Sequence, residues 1–196
     1  MASIFTTDTV LAEIKSTGTR PRLLLHCCCA PCASYVLECL SPLFAITCLF
    51  YNPNIMPEKE HNKRLECLNK LIVLSEYPNN VEIKALQYSP EDYISSVAPF
   101  PDGPEGGLRC RACIEIRLEE TAMRATAFRY DYFTTTLSVS PHKNAALINE
   151  IGQYQAARFG GRFLTADFKK KDGYKRSVEL SKLYGLYRQD YCGCGR

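Results

Sequence analysis

The sequence lacks a long apolar run. Its longest weakly charged stretch, residues 23–37, is interrupted by His26 and Pro31, and it is shorter than the roughly 20 residues that a membrane-spanning helix requires. The N-terminal segment also lacks the charged, apolar and small-residue regions of a secretory signal peptide. From these absences we expect a soluble protein of the reducing cytoplasm, with no membrane partner.

A phosphate-binding glycine loop and internal repeats are absent as well. The chain contains neither a Walker-type sequence nor a Ser-Gly-Gly loop, and backbone amides of such loops cradle nucleotide phosphates. No repeat and no low-complexity linker divides the sequence. Because 196 residues suffice for a hydrophobic core, we expect one main domain and no ATP site.

Charge is small overall but unevenly placed. The formal net charge is +3. Residues 158–196 contain ten Lys or Arg against four Asp or Glu, a net charge of +6, so the rest of the chain sums to −3. The lysines at 169–171 and the basic pair at 175–176, with tyrosines nearby, predict a surface that follows a nucleic-acid backbone. A solvated helix face is the alternative.

Cysteine is abundant, at 11 of 196 residues. A chain of this length does not need disulfides to fold, and in a reducing compartment cysteine clusters more often bind metal or act in catalysis. The cysteines at 39, 48 and 67 lie in apolar patterns and are predicted to be buried. If the other eight converge in space, they form one soft-metal site. These eight are Cys27, Cys28, Cys29 and Cys32; Cys110 and Cys113; and Cys192 and Cys194.

Short apolar runs alternate with longer amphipathic ones. Strands are predicted at 22–26, 44–50, 81–87, 132–136 and 162–165, and helices at 31–40, 57–75, 90–97, 111–128, 143–158 and 174–186. This alternation predicts an α/β fold with a mostly parallel sheet flanked by helices. Ligands of such sheets bind at the carboxyl ends of the strands. The cysteine loop, segments 51–54 and 134–142, and Asp167 follow strands and are therefore expected on one rim.

The cysteine spacings leave several chemistries open. The pair Cys110 and Cys113 fits half of a zinc site, half of an iron–sulfur site or a thiol redox pair. Adjacent cysteines such as Cys28 and Cys29 suit a cluster with several metal corners better than a tetrahedral zinc ion, which favours an iron–sulfur site. Cys192 and Cys194, separated by one glycine, suggest a readily reduced disulfide. The alternatives are that these two cysteines are further metal ligands or that they belong to an inert tail.

Five motifs in a fixed order resemble the QueH family of epoxyqueuosine reductases. The resemblance runs from about residue 22 to the C-terminus, and it implies a single catalytic domain over 22–196 after an N-terminal extension, 1–21. It also implies a sheet resembling the nucleotide α-hydrolase (HUP-like) layout. The motifs are His26-Cys-Cys-Cys-Ala-Pro-Cys32, Tyr51-Asn-Pro-Asn-Ile55, Arg109-Cys-x-x-Cys113, Thr134-Thr-Thr-Leu-Ser-x-Ser-Pro141 and Tyr187-Arg-Gln-Asp-Tyr-Cys-Gly-Cys194.

The resemblance implies an activity and a set of cofactors. Epoxyqueuosine in tRNA would lose its epoxide oxygen as water and become queuosine, with two electrons from an unidentified donor and two protons. A [4Fe-4S] cluster would be bound by the four matching cysteines, and Cys192 and Cys194 would form a redox-active disulfide. An additional iron would take Cys27 or Cys32 as candidate ligands, although some family members have aspartate at the latter position. The four cluster cysteines are Cys28, Cys29, Cys110 and Cys113.

Opening an epoxide also requires an acid that neutralises the developing alkoxide. A second iron, or a protonated side chain such as His26, Asp167 or His142, could be this acid. For His26 a supporting role beside the cysteine loop is the favoured alternative. Asn52 and Asn54 either hold a turn or contact the substrate. We also expect substrate contacts from His142, Arg188 and Gln189.

Two other functions stay open at this point. One is a zinc-stabilised nucleic-acid-binding module, whose fold would collapse when a chelator removes the metal. The other is a thiol oxidoreductase that works without a cluster. Neither of them needs three consecutive cysteines, which is the feature that weighs against both.

Overall fold

A computed structural model describes residues 7–194 and contains a four-stranded parallel sheet in the order β3-β2-β1-β4. The predicted α/β fold is confirmed, whereas its likeness to the nucleotide α-hydrolase layout stays a prediction. The elements are α1 (Thr7–Thr17), β1 (Arg22–His26), α2 (Ala30–Leu40), β2 (Ala45–Phe50), α3 (Glu58–Leu74), β3 (Val81–Ala85), α4 (Pro90–Val97), α5 (Leu108–Ala127), β4 (Tyr132–Thr135), a 3₁₀ helix (Thr136–Val139), α6 (Ala145–Phe159) and α7 (Gly173–Leu183).

The central strand β1 is apolar on both faces because helices cover both faces of the sheet. Leu23 and Leu25 belong to the core on the side of α2 and α3, and Leu24 belongs to the core on the side of α5 and α6. All three are at most 1% exposed. Continuous apolar runs of this kind are typical of buried parallel strands, and each buried leucine stabilises the fold by about 1.5–3 kcal/mol.

The fifth predicted strand, 162–165, is wrong as an extended strand. Phe163 forms an isolated parallel bridge to Phe133 in β4, and Thr165 is a second isolated bridge residue. The backbone amide and carbonyl of the next residue, Ala166, are instead bonded to the side chain of Asn149 on α6, at 3.1 and 3.3 Å. The segment therefore does not extend into a fifth strand.

The N-terminal extension contains a helix that the sequence reasoning did not predict. On α1, Val10 and Ile14 are 1% and 5% exposed and join the core beside α2. No helix among residues 7–194 has the length and apolar character needed to cross a membrane.

Three strands end where the motifs begin. Strand β1 ends at His26, β2 at Phe50 and β4 at Thr135, and these strands run in the same direction. The cysteine loop and segments 51–54 and 136–142 follow directly. They line one cavity at this rim, as the sequence predicts.

Candidate functional site

Three thiols form the centre of the site at the start of α2. The sulfur atoms of Cys28, Cys29 and Cys32 lie within 4.8 Å of one another. Pro31 occupies the first turn of α2, where its missing amide hydrogen costs nothing. The helix directs its remaining N-terminal amides toward the cysteine loop, and the partial positive charge there favours thiolates.

Negative charge in this group is concentrated on Cys28. Hydrogen bonds from the thiols of Cys29 and Cys32 hold the pKa of Cys28 well below its ordinary value. The hydrogen bond to Cys28 raises the pKa of Cys29 to about 12. The backbone amide of Cys28 donates to the Thr136 hydroxyl oxygen at 3.2 Å, which leaves the hydroxyl hydrogen available to the Cys28 sulfur at 3.4 Å. Thr136 is fully buried, so it fixes this thiol in place.

Cys27 points away from this group. Its thiol donates to the carbonyl of Leu25 at 3.5 Å and lies beside Cys48 in the core, where Cys27 is fully buried. Burial raises the pKa of the Cys27 thiol. Of the two candidate ligands for an additional iron, only Cys32 therefore lies with the other thiols.

Cys110 and Cys113 stand one turn apart at the start of α5. Cys113 is buried and Cys110 half-buried, and both line a narrow cleft that Tyr93 and Cys194 also border. A larger cavity of about 530 Å³ lies next to the Cys28 group. The cleft and the cavity share the side chains of Arg117, Lys143 and Cys192.

The three cysteine segments border two adjoining spaces, since Cys28, Cys29 and Cys32 line the cavity, Cys110 and Cys113 line the cleft, and Cys192 lines both; that they form one metal site stays a prediction. The buried Arg117 also lines both spaces, and its charge acts on Cys113, Cys192, Cys28 and Cys110. A cubane cluster places its ligands farther apart than a single metal ion does. Two thiol pairs lie on either side of a shared space that a buried cation also borders. This arrangement suits a negatively charged cluster bound by thiolates, so the implied [4Fe-4S] group fits these residues.

The C-terminal pair Cys192 and Cys194 is present as two free thiols in hydrogen-bond contact. The Lys143 ammonium donates to the Cys192 sulfur at 3.6 Å and to the Glu105 carboxylate at 2.8 Å. The hydrogen bond from Cys194, followed by the charge of Lys143, lowers the pKa of Cys192 to about 5. The same contact raises the pKa of Cys194. Cys192 is the thiolate of the pair.

Arg64 holds this tail, and the sequence reasoning missed it. Its guanidinium donates to the Glu60 carboxylate at 2.7 Å and to the carbonyl of Cys192 at 3.1 Å. The hydroxyl of Tyr187 also donates to the Glu60 carboxylate, at 3.2 Å. The four-residue spacing of Glu60 and Arg64 on a helix was an available signal for an ion pair, but it did not indicate that this pair faces the tail.

Replacing Gly193 with alanine is expected to displace the tail. Gly193 has φ +100°, and an added Cβ would lie 3.0 Å from the Arg64 guanidinium. Gly160 has φ +75° with no atom within 4 Å of its added Cβ, so Gly160→Ala is a control for the backbone strain of about 1–2 kcal/mol alone. When an oxidant is added to join Cys192 and Cys194 in a disulfide, we expect closure to be at least about tenfold slower in Gly193→Ala than in the wild type. Mass-spectrometric disulfide assays measure this rate, and equal rates in both variants would contradict the packing argument.

All five of the expected substrate-binding residues line the cavity. Within the described residues, the side-chain oxygens of Asn52, Asn54 and Gln189 are buried and have no hydrogen-bond partner. The amide nitrogen of Asn52 donates to the carbonyl of Cys27 at 2.9 Å, which fixes the orientation of that amide. The cavity therefore offers acceptors to a ligand with hydroxyl or ammonium groups. The five residues are Asn52, Asn54, His142, Arg188 and Gln189.

His26 is placed as a supporting residue. It is fully buried, and its Nε2 donates to the carbonyl of Tyr51 at 3.1 Å. Its Nδ1 lies 2.9 Å from the hydroxyl of Thr135, which in this tautomer is the donor. Burial, assisted by the charge of Arg117, lowers the pKa of His26 to about 4. His26 is therefore neutral near pH 7 with both nitrogens engaged, which favours the predicted supporting role.

Asp167 and Lys169 support the rim of the cavity. Asp167 forms an ion pair with Lys169 at 3.3 Å and is not among the residues lining the cavity. The Lys169 ammonium also donates to the carbonyls of Lys143 and Ser138, at 3.0 and 3.4 Å. Of the side chains considered as proton donors, His142 is the one that lines the cavity.

Comparison with known proteins gives a consistent result. The family model described as "Epoxyqueuosine reductase QueH" matches residues 23–195. The chain is 41% identical over 181 residues to the epoxyqueuosine reductase QueH of Streptococcus pyogenes serotype M1, covering 90% of this chain and 70% of that protein. It is 38% identical over 178 residues to the epoxyqueuosine reductase QueH of Thermotoga maritima, covering 88% of each.

Proposed function

The chain belongs to the epoxyqueuosine reductase QueH family, and we propose that it reduces epoxyqueuosine in tRNA to queuosine with electrons from a [4Fe-4S] cluster. The cluster would be bound by Cys28, Cys29, Cys110 and Cys113. The observation that carries this proposal is that the two thiol pairs line an adjoining cavity and cleft that share the buried Arg117. When bound, the cluster supplies electrons at low potential.

The reaction needs two electrons and two protons, and the epoxide oxygen leaves as water while the two ring carbons become an alkene. The chain's own task is to orient the ring and to deliver protons. The unpartnered oxygens of Asn52 and Asn54 would accept hydrogen bonds from the ring hydroxyls of the substrate. His142, which lines the cavity, would deliver a proton to the developing alkoxide.

An additional iron would be bound through Cys32. Its thiol lies with Cys28 and Cys29 and is not needed for the cluster. Cys27 is a poor candidate, because its thiol lies in the core beside Cys48. Such an iron would act as a Lewis acid on the epoxide oxygen.

Cys192 and Cys194 would cycle between dithiol and disulfide. The thiolate of Cys192 and the thiol of Cys194 would release two electrons and one proton as the S–S bond forms, and an external donor would reduce the bond again. The contact between the two sulfurs and the position of Cys192 at the shared edge of cleft and cavity support this role.

The tRNA would approach the basic C-terminal region, and a tRNA substrate points to the cytoplasm. Lys170 and Lys171 are exposed, whereas Lys169 is engaged with the loop carbonyls. We expect the double substitution Lys170→Ala and Lys171→Ala to weaken tRNA binding. It should also reduce the slope of log K against log salt by about 1 for each lysine.

Binding titrations at several salt concentrations measure this slope. Lys15→Ala, on the exposed face of α1, is the matched control and is expected to leave the slope unchanged. If the double variant keeps the wild-type slope, these lysines are not part of the tRNA interface.

The proposed reaction is tested by anaerobic incubation of the protein with tRNA that contains epoxyqueuosine, with dithionite as the reductant. Mass spectrometry of the nucleosides is expected to show conversion to queuosine that depends on the protein. Unchanged epoxyqueuosine in the presence of cluster-loaded protein would contradict the proposal.

A further inference from the structure

Arg117 is a buried cation without an acidic partner. It lies on α5 one turn after Cys113, is 3% exposed, and donates from Nε to the carbonyl of Cys113 at 2.8 Å. Within residues 7–194, no carboxylate forms an ion pair with it. Buried charges are costly unless they are paired, so the position of this side chain requires an explanation.

The helix itself does not need the side chain. The carbonyl of Cys113 lies four residues before Arg117 in α5 and is the acceptor for the backbone amide of Arg117 in a regular helix. The extra Nε bond therefore fixes the side chain rather than the helix. It directs the guanidinium toward the space that the cleft and the cavity share.

The groups near Arg117 are thiols, the neutral ring of His26 and a second cation. Its charge interacts with Cys113, Cys192, Cys28 and Cys110. Lys143 is near enough for the two positive charges to repel each other, although Lys143 is also paired with Glu105. Two neighbouring cations at a poorly solvated position are stable only where negative charge is held between them.

We propose that Arg117 is a positioning residue of the reductase, a buried counter-charge that stabilises the negative charge shared by the two cysteine groups and raises the reduction potential of the cluster bound between them. This inference rests on the proposed cluster. Each electron added to a thiolate-bound cluster increases its negative charge. A cation fixed nearby in a region of low dielectric therefore favours the reduced state.

Two substitutions separate charge from shape. Arg117→Met keeps much of the volume and removes the charge, whereas Arg117→Lys keeps the charge and loses the Nε bond. Arg124→Met is the matched control, because Arg124 lies two turns further along α5 and is paired with Glu120. Anaerobic redox titration of the cluster absorbance is expected to give a lower potential for Arg117→Met, a potential near wild type for Arg117→Lys, and no change for Arg124→Met.

Thermal unfolding gives a second readout that does not depend on turnover. In the metal-free chain only the thiols and thiolates of the site face Arg117, so Arg117→Met is expected to change the midpoint little. In the cluster-loaded chain the same substitution is expected to lower the midpoint by more, because the charge of the cluster then also lacks its counter-charge. A larger fall in the cluster-loaded form is a result that a purely structural arginine would not give.

A wild-type potential in Arg117→Met, or an equal shift in the methionine and lysine variants, would overturn the role of Arg117 while leaving the cluster in place. A wild-type chain that assembles no cluster would instead reject the proposed function, and the role of Arg117 in tuning that cluster would fall with it.

Discussion

Replacing Cys110 with alanine is expected to abolish both cluster binding and epoxyqueuosine reduction. Cys110 is half-buried at the start of α5 and lies outside the main core clusters, so the fold is expected to survive its loss. A cubane cluster that loses one of four thiolates is exposed to solvent at that iron. We expect the bound iron to disappear and the activity to fall by more than about 100-fold, since even partners outside the ligand set cost 10–100-fold when removed.

The control for this prediction is Cys39→Ala. Cys39 is also half-buried, but it lies near the end of α2 and lines neither the cavity nor the cleft. This variant is expected to keep the iron content and the activity of the wild type. A full cluster in the Cys110 variant would show that the ligand set is wrong.

Replacing Cys192 with alanine is expected to leave the cluster intact and to stop turnover. Cys192 is the thiolate of the C-terminal pair, held by Cys194 and Lys143. With the physiological donor, steady-state turnover should fall by at least about 100-fold, the scale on which the loss of a reacting group acts. Reduction of the substrate with dithionite should persist, because that reductant reaches the cluster without the dithiol.

Iron analysis and the two turnover assays on the same sample distinguish the alternatives for this tail. Loss of iron in the Cys192 variant would show that Cys192 is a metal ligand, which is one of the alternatives that the sequence leaves open. Wild-type turnover with the physiological donor would show that the tail is inert. Cys67→Ala is a useful control, because Cys67 is buried and accepts a hydrogen bond from the amide of Tyr187 at 3.2 Å without lining the cavity.

The position of the site at one edge of the sheet could be predicted, because it depends only on the alternation of strands with helices and on the parallel direction of the strands. Apolar runs that alternate with helices specify parallel strands, and the segments after β1, β2 and β4 must then lie on one edge. The orientation of Cys27 was also within reach. It continues the alternation of Leu23 and Leu25, so its thiol falls on the same face of the sheet.

Other parts of the site depend on tertiary contacts that no local pattern encodes. Arg117 and Arg64 look like ordinary charged residues of amphipathic helices, and only packing shows that the first faces thiols and the second holds the tail. Lys169 appears equivalent to its two neighbours in the sequence, yet it is engaged with Lys143 and Ser138. The prediction of a strand at 162–165 failed for the same reason, since the backbone of Ala166, directly after it, is bonded to the side chain of Asn149 on α6.

The most direct test of the account is the iron and acid-labile sulfide content of protein purified without oxygen, measured with its absorption spectrum. We predict about four irons and four sulfides per chain, with a fifth iron where the additional site is filled, and a broad brown absorbance that dithionite bleaches. A colourless protein that contains zinc, or one that contains no metal, would contradict the account and leave the structural-metal module or the cluster-free thiol oxidoreductase in its place.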